Sequence, residues 1–408
     1  MAKIPVRPTY LIMVTTANNN KFYNCFPEGN TFRVEYGRVD STSTTTRYPM
    51  HEWDKRISAK LNKGYEDVTD LKQDLVTEVQ AANPDDDYKT IENKVIREIV
   101  NQLRSYARET VAKNYSVAAS AVTQAMVDEA QKIIDKLTTI DSSVTRFNNE
   151  LLELFKTIPR KMTKVNDSLA VSTDDFSKIL KREQDLLDVL AGQVYVKPAI
   201  DLTVEKEGTT ETILEAFGLE MEEVDEEDVK VIKNLMNESK DKFRNAWRVK
   251  NLKTQERFDK FVAENNITDT RLLFHGSRNE NFWSIMRTGL MIRPSNAVYT
   301  GSMFADGIYF APKCQKSIGY TSLAGSYWAG GRSNKAYMAI FEVAYGTPHI
   351  IYQHDSSCYK YNYDVLQSKN PKCHCLHASA SKGMLRNDEI VFYRTDQMTI
   401  KYLIEIGN

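Results

Sequence analysis

The sequence predicts an α+β protein of several domains: a small β-rich domain, then an all-α helical bundle, then a mixed α+β domain of two packed, mainly antiparallel sheets. Three observations carry that expectation. Residues 9–65 hold short apolar runs broken by polar turns, residues 88–192 repeat apolar side chains at three- and four-residue steps, and from residue 271 onward short β-branched and aromatic runs dominate. A chain of 408 residues exceeds what one ordinary hydrophobic core supports, so two or three domains are expected. They are placed at 1–80, 85–195 and 203–408.

In the first domain, strands are expected at 10–14, 21–24 and 31–39, with turns at Asn18, Asn19 and Asn20 and at Glu28, Gly29 and Asn30. In the third strand Phe32, Val34 and Tyr36 alternate with Arg33 and Glu35, giving one buried and one wet face. A helix follows around 51–61. The chain balances 54 Lys+Arg against 55 Asp+Glu, but unevenly. Residues 1–64 hold ten Lys/Arg and five Asp/Glu, a net of +5, whereas 201–228 hold one Lys and twelve Asp/Glu, a net of −11. The basic first lobe suits nucleic acid and the middle does not. Arg47, Lys55, Arg56, Lys60 and Lys63 would supply phosphate contacts or form an ordinary charged helix face.

Asn83, Pro84 and Asp85 to Asp87 mark a boundary. Beyond it Val95, Ile99, Leu103, Tyr106 or Ala107, and Val111 line one helix face. Ile133, Ile134 and Leu137 mark a second helix, and Leu151, Leu154, Phe155 and Ile158 a third, stopped by Pro159. The last carries Phe176, Ile179, Leu180, Leu187 and Leu190, starting after the cap-like Ser172, Thr173, Asp174 and Asp175 and ending at Gly192. Such helices with short connections make a bundle without chemistry of its own. Residues 198–228 read as a linker and a solvated acidic run, and a helix resumes over Val229, Ile232 and Leu235. Phe243, Trp247, Phe258 and Phe261 open the last core, which includes strands at 336–343 and 399–406.

Five cysteines, an odd number without disulfide-framework spacing, suit a reducing compartment. No apolar run reaches membrane-spanning length and the start lacks a signal-peptide core, so no membrane partner is expected. The location would be nuclear in a eukaryote and cytoplasmic in a bacterium. No G-x-G-x-x-G follows a strand, which disfavours a dehydrogenase fold, and Gly325, Gly330 and Gly331 lack a P-loop lysine and read as a surface hairpin. Cys373, His374, Cys375 and His377 crowd too closely for a tetrahedral zinc site, so no metal is expected.

Three runs of the last domain each carry one polar side chain. They are His275 in Leu272-Leu273-Phe274-His275-Gly276-Ser277, Tyr309 in Gly307-Ile308-Tyr309-Phe310-Ala311, and Glu389 in Asp388-Glu389-Ile390-Val391. A lone His or Tyr on a strand is usually a satisfied core residue. An acid in an apolar strand needs a partner or a function, because burying an unpaired carboxylate costs several kcal/mol. With Lys316, Ser317 and Tyr320 between them, these ordered motifs resemble the catalytic domain of the poly(ADP-ribose) polymerases.

The resemblance implies an NAD+ ADP-ribosyltransferase that releases nicotinamide, with Glu389, His275 and Tyr309 as catalytic residues. Glu389 would hold a hydroxyl of the nicotinamide ribose and stabilise oxocarbenium-like charge. Gly276 would let backbone reach the carboxamide, Ser317 would donate to it with Lys316 alongside, and Tyr309 and Tyr320 would flank the ring. His275, Ser277 and Asn281 would hold the adenosine side. The glutamate favours polymer elongation; the alternatives are a mono-ADP-ribosyltransferase and an inactive DNA-end-binding scaffold. Two positions depart from the family pattern: Met291 stands for a common Arg, with Arg293 two positions on, and Ser302 stands for a common Tyr. The first domain resembles the family's WGR domain, with Tyr36 for the Trp, then Gly37 and Arg38. That implies DNA ends or nicks as partners, with Tyr36 stacking and Arg38 gripping phosphate. The bundle resembles the helical regulatory domain, autoinhibitory until DNA binds. Protein acceptors, the chain itself included, and an accessory protein complete the implied partners.

Overall fold

The computed structural model describes residues 4–72, 88–116, 122–192, 211–292, 303–323 and 333–408. The chain divides into two compact units, Met1–Asp85 with Arg108–Lys197, and Asp86–Ala107 with Pro198–Asn408. The expected boundary at 83–87, the linker at 198–210, the glycine hairpin at Gly325, Gly330 and Gly331, and the departures at Arg293 and Ser302 lie outside the described residues.

The first unit begins with β1 (Thr9–Thr15), β2 (Asn19–Glu28), β3 (Thr31–Arg38), β4 (Thr44–Pro49) and β5 (Glu66–Asp67), ordered β4-β3-β2-β1-β5 and paired antiparallel. The alternation in β3 works as its pattern requires. Phe32 and Val34 are fully buried beneath the helix Trp53–Leu61, whose Trp53 meets Phe32 edge-on at 5.0 Å. Strand β4 was not expected, because Thr44, Thr45, Thr46 and Arg47 carry no apolar signal; it forms as an edge by pairing with β3.

The helices Gln124–Thr138, Val144–Thr157 and Phe176–Ala191 follow in the same unit. Thr123 and Ser143 cap the first two by accepting from the Met126 and Arg146 N–H groups, and Ser172 with Asp175 forms a capping box before the third. Phe147 and Phe176 stack at 3.9 Å, and Gln131 and Gln184 exchange amide hydrogen bonds of 2.9 and 2.7 Å. The helix Lys94–Asn114 is shared: its residues to Ala107 belong to the second unit and those from Arg108 to the first.

The second unit holds two sheets. One contains β6 (Leu219–Glu223), β7 (Phe243–Asn251), β8 (Thr270–Gly276), β10 (Lys335–Ala344) and β14 (Met398–Gly407) in the order β6-β7-β14-β10-β8. The other contains β9 (Ile308–Phe310), β11 (Thr347–Ile351), β12 (Cys373–Ala378) and β13 (Glu389–Phe392) in the order β11-β12-β13-β9. Pairing is antiparallel except between β11 and β12. In the described part of the acidic run most of the acids are solvated as expected, but a strand that was not expected carries some of them. Leu219 and Met221 turn inward from β6 while Glu220 and Glu222 face water, and the pleat reconciles acidity with a strand.

One core contains Trp247, Phe341 and Leu403 from the first of these sheets and Ile308, Phe310, Ile390 and Phe392 from the second; Ile96, Ile99, Val100 and Leu103 join it. The far face of the second sheet packs Tyr309, Leu376, Ala378 and Val391 with Phe304 and Tyr393. No described helix is long and apolar enough to cross a membrane.

Candidate active site

An isolated bridge ties β8 to the residue after β9: the Phe274 N–H donates to the Ala311 carbonyl at 3.0 Å, and the Ala311 N–H donates back at 3.1 Å. This brings His275 to Tyr309. The His275 Nδ1 lies 3.1 Å from the Tyr309 carbonyl oxygen, and its ring meets Phe310 and Phe341 edge-on at 5.7 and 6.1 Å. Burial pushes its pKa down to about 4 against the pull of that carbonyl, so the ring is neutral at neutral pH. A carbonyl can only accept, so Nδ1 carries the proton and Nε2 is left as an acceptor, which suits a ribose hydroxyl.

Gly276 follows at the end of β8. A Cβ built there would sit 2.0 Å from the Ser317 carbonyl oxygen, so close backbone approach requires the glycine. Ser317 is buried in the helix Cys314–Ile318, and its Oγ donates to the Phe274 carbonyl at 3.1 Å. The Asn281 Nδ2 donates to the Ser277 Oγ at 2.9 Å, while the Asn281 Oδ1 is buried without a hydrogen-bond partner among the described residues. Leaving such an acceptor unmet costs about 1–3 kcal/mol, and the hydroxyl of a bound nucleoside would satisfy it.

Glu389 opens β13 at 7% exposure. The register sets Ala378 opposite Glu389 and Tyr309 opposite Val391, so Glu389 and Tyr309 share one face of the sheet. The partner that a buried acid demands is Lys316, whose Nζ lies 2.6 Å from the Glu389 Oε1 and donates to the Asn387 carbonyl at 3.2 Å. The Tyr309 hydroxyl is committed, accepting from the Phe304 N–H at 3.0 Å and donating to the Ala305 carbonyl at 2.8 Å. Burial raises its pKa, and Glu389 adds to the rise. Tyr320 is 56% exposed, and its hydroxyl is raised by partial desolvation and then by Glu389. Six of the sequence-derived positions, His275, Gly276, Tyr309, Lys316, Ser317 and Glu389, are thus joined by hydrogen bonds, close approach or register. Ser277 and Asn281 form their own pair on the stretch just after β8, and Met291 is exposed.

Tyr36 and Arg38 lie on β3 in the first unit. Tyr36 is half-buried, 5.9 Å from the Tyr23 ring, with the Lys60 Nζ 5.8 Å from its centroid. Arg38 donates to the Asn18 carbonyl and Oδ1 at 2.9 and 3.2 Å and to the Thr163 carbonyl at 2.9 Å, which occupies three of its five N–H donors. Among the described residues no group of three or more His, Cys, Asp or Glu could hold a metal ion. Cys373 and Cys375 are buried, while the His374 Nδ1 accepts from the Thr347 N–H.

Sequence reasoning passed over two acids. Asp306 flanks Tyr309 and Tyr393, and burial pushes its pKa up to about 6. It follows Ala305, a non-glycine residue at φ +57°, in a turn held by the hydroxyls of Tyr309 and Tyr393. Asp388 is bonded to His377. Its only sequence signal was a second acid beside the first.

The family model described as the poly(ADP-ribose) polymerase catalytic domain matches residues 226–408. Uncharacterized protein 101L of Invertebrate iridescent virus 6 is 37% identical over 187 residues, 45% of this chain and 76% of that protein. The poly(ADP-ribose) polymerase-like protein 100L of the same virus is 35% identical over 164 residues, 39% of this chain and 83% of that protein. Poly(ADP-ribose) polymerase 2 of Arabidopsis thaliana is 29% identical over 171 residues, which span 37% of this chain but only 25% of the plant protein.

Proposed function

Because this chain belongs to the poly(ADP-ribose) polymerase family and is an NAD+ ADP-ribosyltransferase, we propose that it transfers and elongates ADP-ribose on protein acceptors, itself included, when broken DNA relieves autoinhibition. The observation that carries the catalytic part is Glu389: a buried acid paired with Lys316 on the face that carries Tyr309. Its carboxylate holds a hydroxyl of the nicotinamide ribose and stabilises the positive charge that develops as the nicotinamide bond breaks. Lys316 orients the carboxylate. Tyr309, its hydroxyl already engaged, offers a fixed ring face, with Tyr320 on the other side of the nicotinamide. Backbone at Gly276 and the Ser317 Oγ receive the carboxamide. The neutral His275 accepts from the adenosine ribose at Nε2, and Asn281 and Ser277 bind beside it.

For the first 80 residues we propose a WGR-type DNA-end grip, supported by the basic balance of residues 1–64 and the Tyr36-Gly37-Arg38 run. Arg38 would use its remaining Nε–H and one Nη1–H toward phosphate. The helices of 85–195 would restrain the NAD+ site until DNA is bound, and an accessory protein could complete it. A second reading, transfer of a single unit, differs only in product length.

Nicotinamide release from NAD+ with and without nicked or blunt DNA tests the proposal. Release that rises with broken DNA and a smear of labelled product on a denaturing gel are expected. A sharp band would favour the single-unit reading, equal rates with and without DNA would remove the DNA switch, and no release in either condition would favour the scaffold.

A further inference from the structure

The Lys316–Glu389 pair rests on a short segment whose middle residue faces the other way. Asn387 and Glu389 both touch the Lys316 ammonium, through a carbonyl and a carboxylate respectively. Asp388, between them, turns toward β12. Its Oδ2 lies 3.0 Å from the His377 Nε2 and its Oδ1 accepts from the Ala380 N–H at 2.7 Å. The His377 Nδ1 in turn lies 2.7 Å from the hydroxyl of Tyr345, a buried residue just beyond the end of β10. The Arg271 guanidinium, paired with Asp269, covers the Tyr345 ring at 3.4 Å. The donors and acceptors fit one polarity: Tyr345 O–H donates to Nδ1, and Nε2–H donates to the carboxylate. The chain therefore runs from the end of one sheet, across the second, to the residue before the buried acid.

We propose that Asp388, His377 and Tyr345 form a positioning relay that fixes Asn387 and Glu389 on either side of Lys316 and so sets the carboxylate for reaction. The inference rests on the role assigned above to Glu389. None of the three touches the substrate. Their contribution is rigidity: Glu389 is the first residue of its strand, with Ala378 its partner on one side, and the Asp388 carboxylate ties the residue before it to His377 and to the Ala380 N–H. Displacing a reacting group by roughly 1 Å costs on the order of a hundredfold in rate.

The test is nicotinamide release by the full-length protein with NAD+ and broken DNA, alongside thermal unfolding. Asp388→Ala and His377→Ala are expected to lower kcat by about ten- to a hundredfold while KM for NAD+ stays within about twofold, because binding groups are left in place. Asp388→Asn should restore most of kcat. Its amide can donate to Nε2 while Nδ1–H donates to Tyr345, which reverses the polarity of the relay and keeps its geometry. Full kcat in Asp388→Ala, loss matched by a lost folded fraction, or Asp388→Asn as impaired as Asp388→Ala would each overturn the relay. Glu389→Gln is run in parallel. If it is silent while Asp388→Ala is fully active, the relay alone falls; if Glu389→Gln is itself fully active, the role of Glu389 falls first and the relay with it.

Discussion

The two β-rich regions of this chain carry comparable motifs, yet they use their polar side chains differently. In the second unit the functional candidates brace one another: His275 on a Tyr309 carbonyl, Ser317 on a Phe274 carbonyl, Lys316 on Glu389. His275 is held at Nδ1 while its Nε2 is left to accept, and the Tyr320 ring stays exposed. In the first unit the corresponding candidate, Arg38, spends most of its donors on Asn18 and Thr163, and Tyr36 lies half-buried beside Tyr23. A preorganised site shows paired groups with a spare valence, whereas a lattice of internal bonds chiefly stabilises the fold.

The comparison breaks most sharply at Glu389. Glu389→Gln should reduce nicotinamide release by about a hundred- to a thousandfold, equivalent to roughly 2.7–4 kcal/mol of barrier, in protein that thermal unfolding shows to be still folded. Retained activity would mean that the brace in the second unit serves only the fold. Gly276→Ala comes next, because its methyl would meet the Ser317 carbonyl oxygen at 2.0 Å and force β8 away from the helix Cys314–Ile318. About 1–3 kcal/mol of stability, read by urea unfolding, and about tenfold or more in activity should be lost.

How much of this was legible in sequence follows from where the information lies. Alternation fixed β3, and helical periodicity with a Ser172 cap and a Pro159 stop fixed the bundle helices, because burial of one face is a local pattern. Strand β4 escaped because Thr44, Thr45 and Thr46 acquire their strand only by pairing with β3. Strand β6 escaped because net charge masked the inward Leu219 and Met221. Within the candidate site, motif order singled out Glu389, but its lysine lies 73 positions earlier (389 − 316) and the hydrogen-bonded Asp388, His377 and Tyr345 come from three different stretches. Sequence order names such residues without saying which of them meet.

A third effect follows from burial of His275. Its pKa is pushed down to about 4 in the folded state, against an ordinary value near 6.5 when unfolded. Between those values the unfolded chain binds the extra proton, so stability rises with pH there. The contribution is fully present above about 6.5 and is lost as pH falls toward about 4. It amounts to on the order of 2–3 kcal/mol, and His275→Asn should flatten the difference in unfolding free energy between pH 7 and pH 4.5 by that amount. The smallest effect belongs to the first unit. Arg38→Ala removes three hydrogen bonds, costing about 1 kcal/mol in urea unfolding, and should weaken DNA binding uniformly across sequences while reducing the salt slope by about one. An unchanged slope would assign Arg38 to the fold alone.

One consequence concerns length rather than chemistry. Glu389 enters its strand straight from the connection 379–388, and Asp388 and Glu389 point to opposite sides of the sheet. Strand faces obey parity, so an insertion or deletion that slides β13 by one place against β12 exchanges the occupants. A slide one way seats Asp388, a carboxylate one methylene shorter, beside the tyrosine; a slide the other way seats Ile390 and no acid at all. That connection is therefore a ruler, and its tolerance to added residues should be narrow where other surface turns accept them freely.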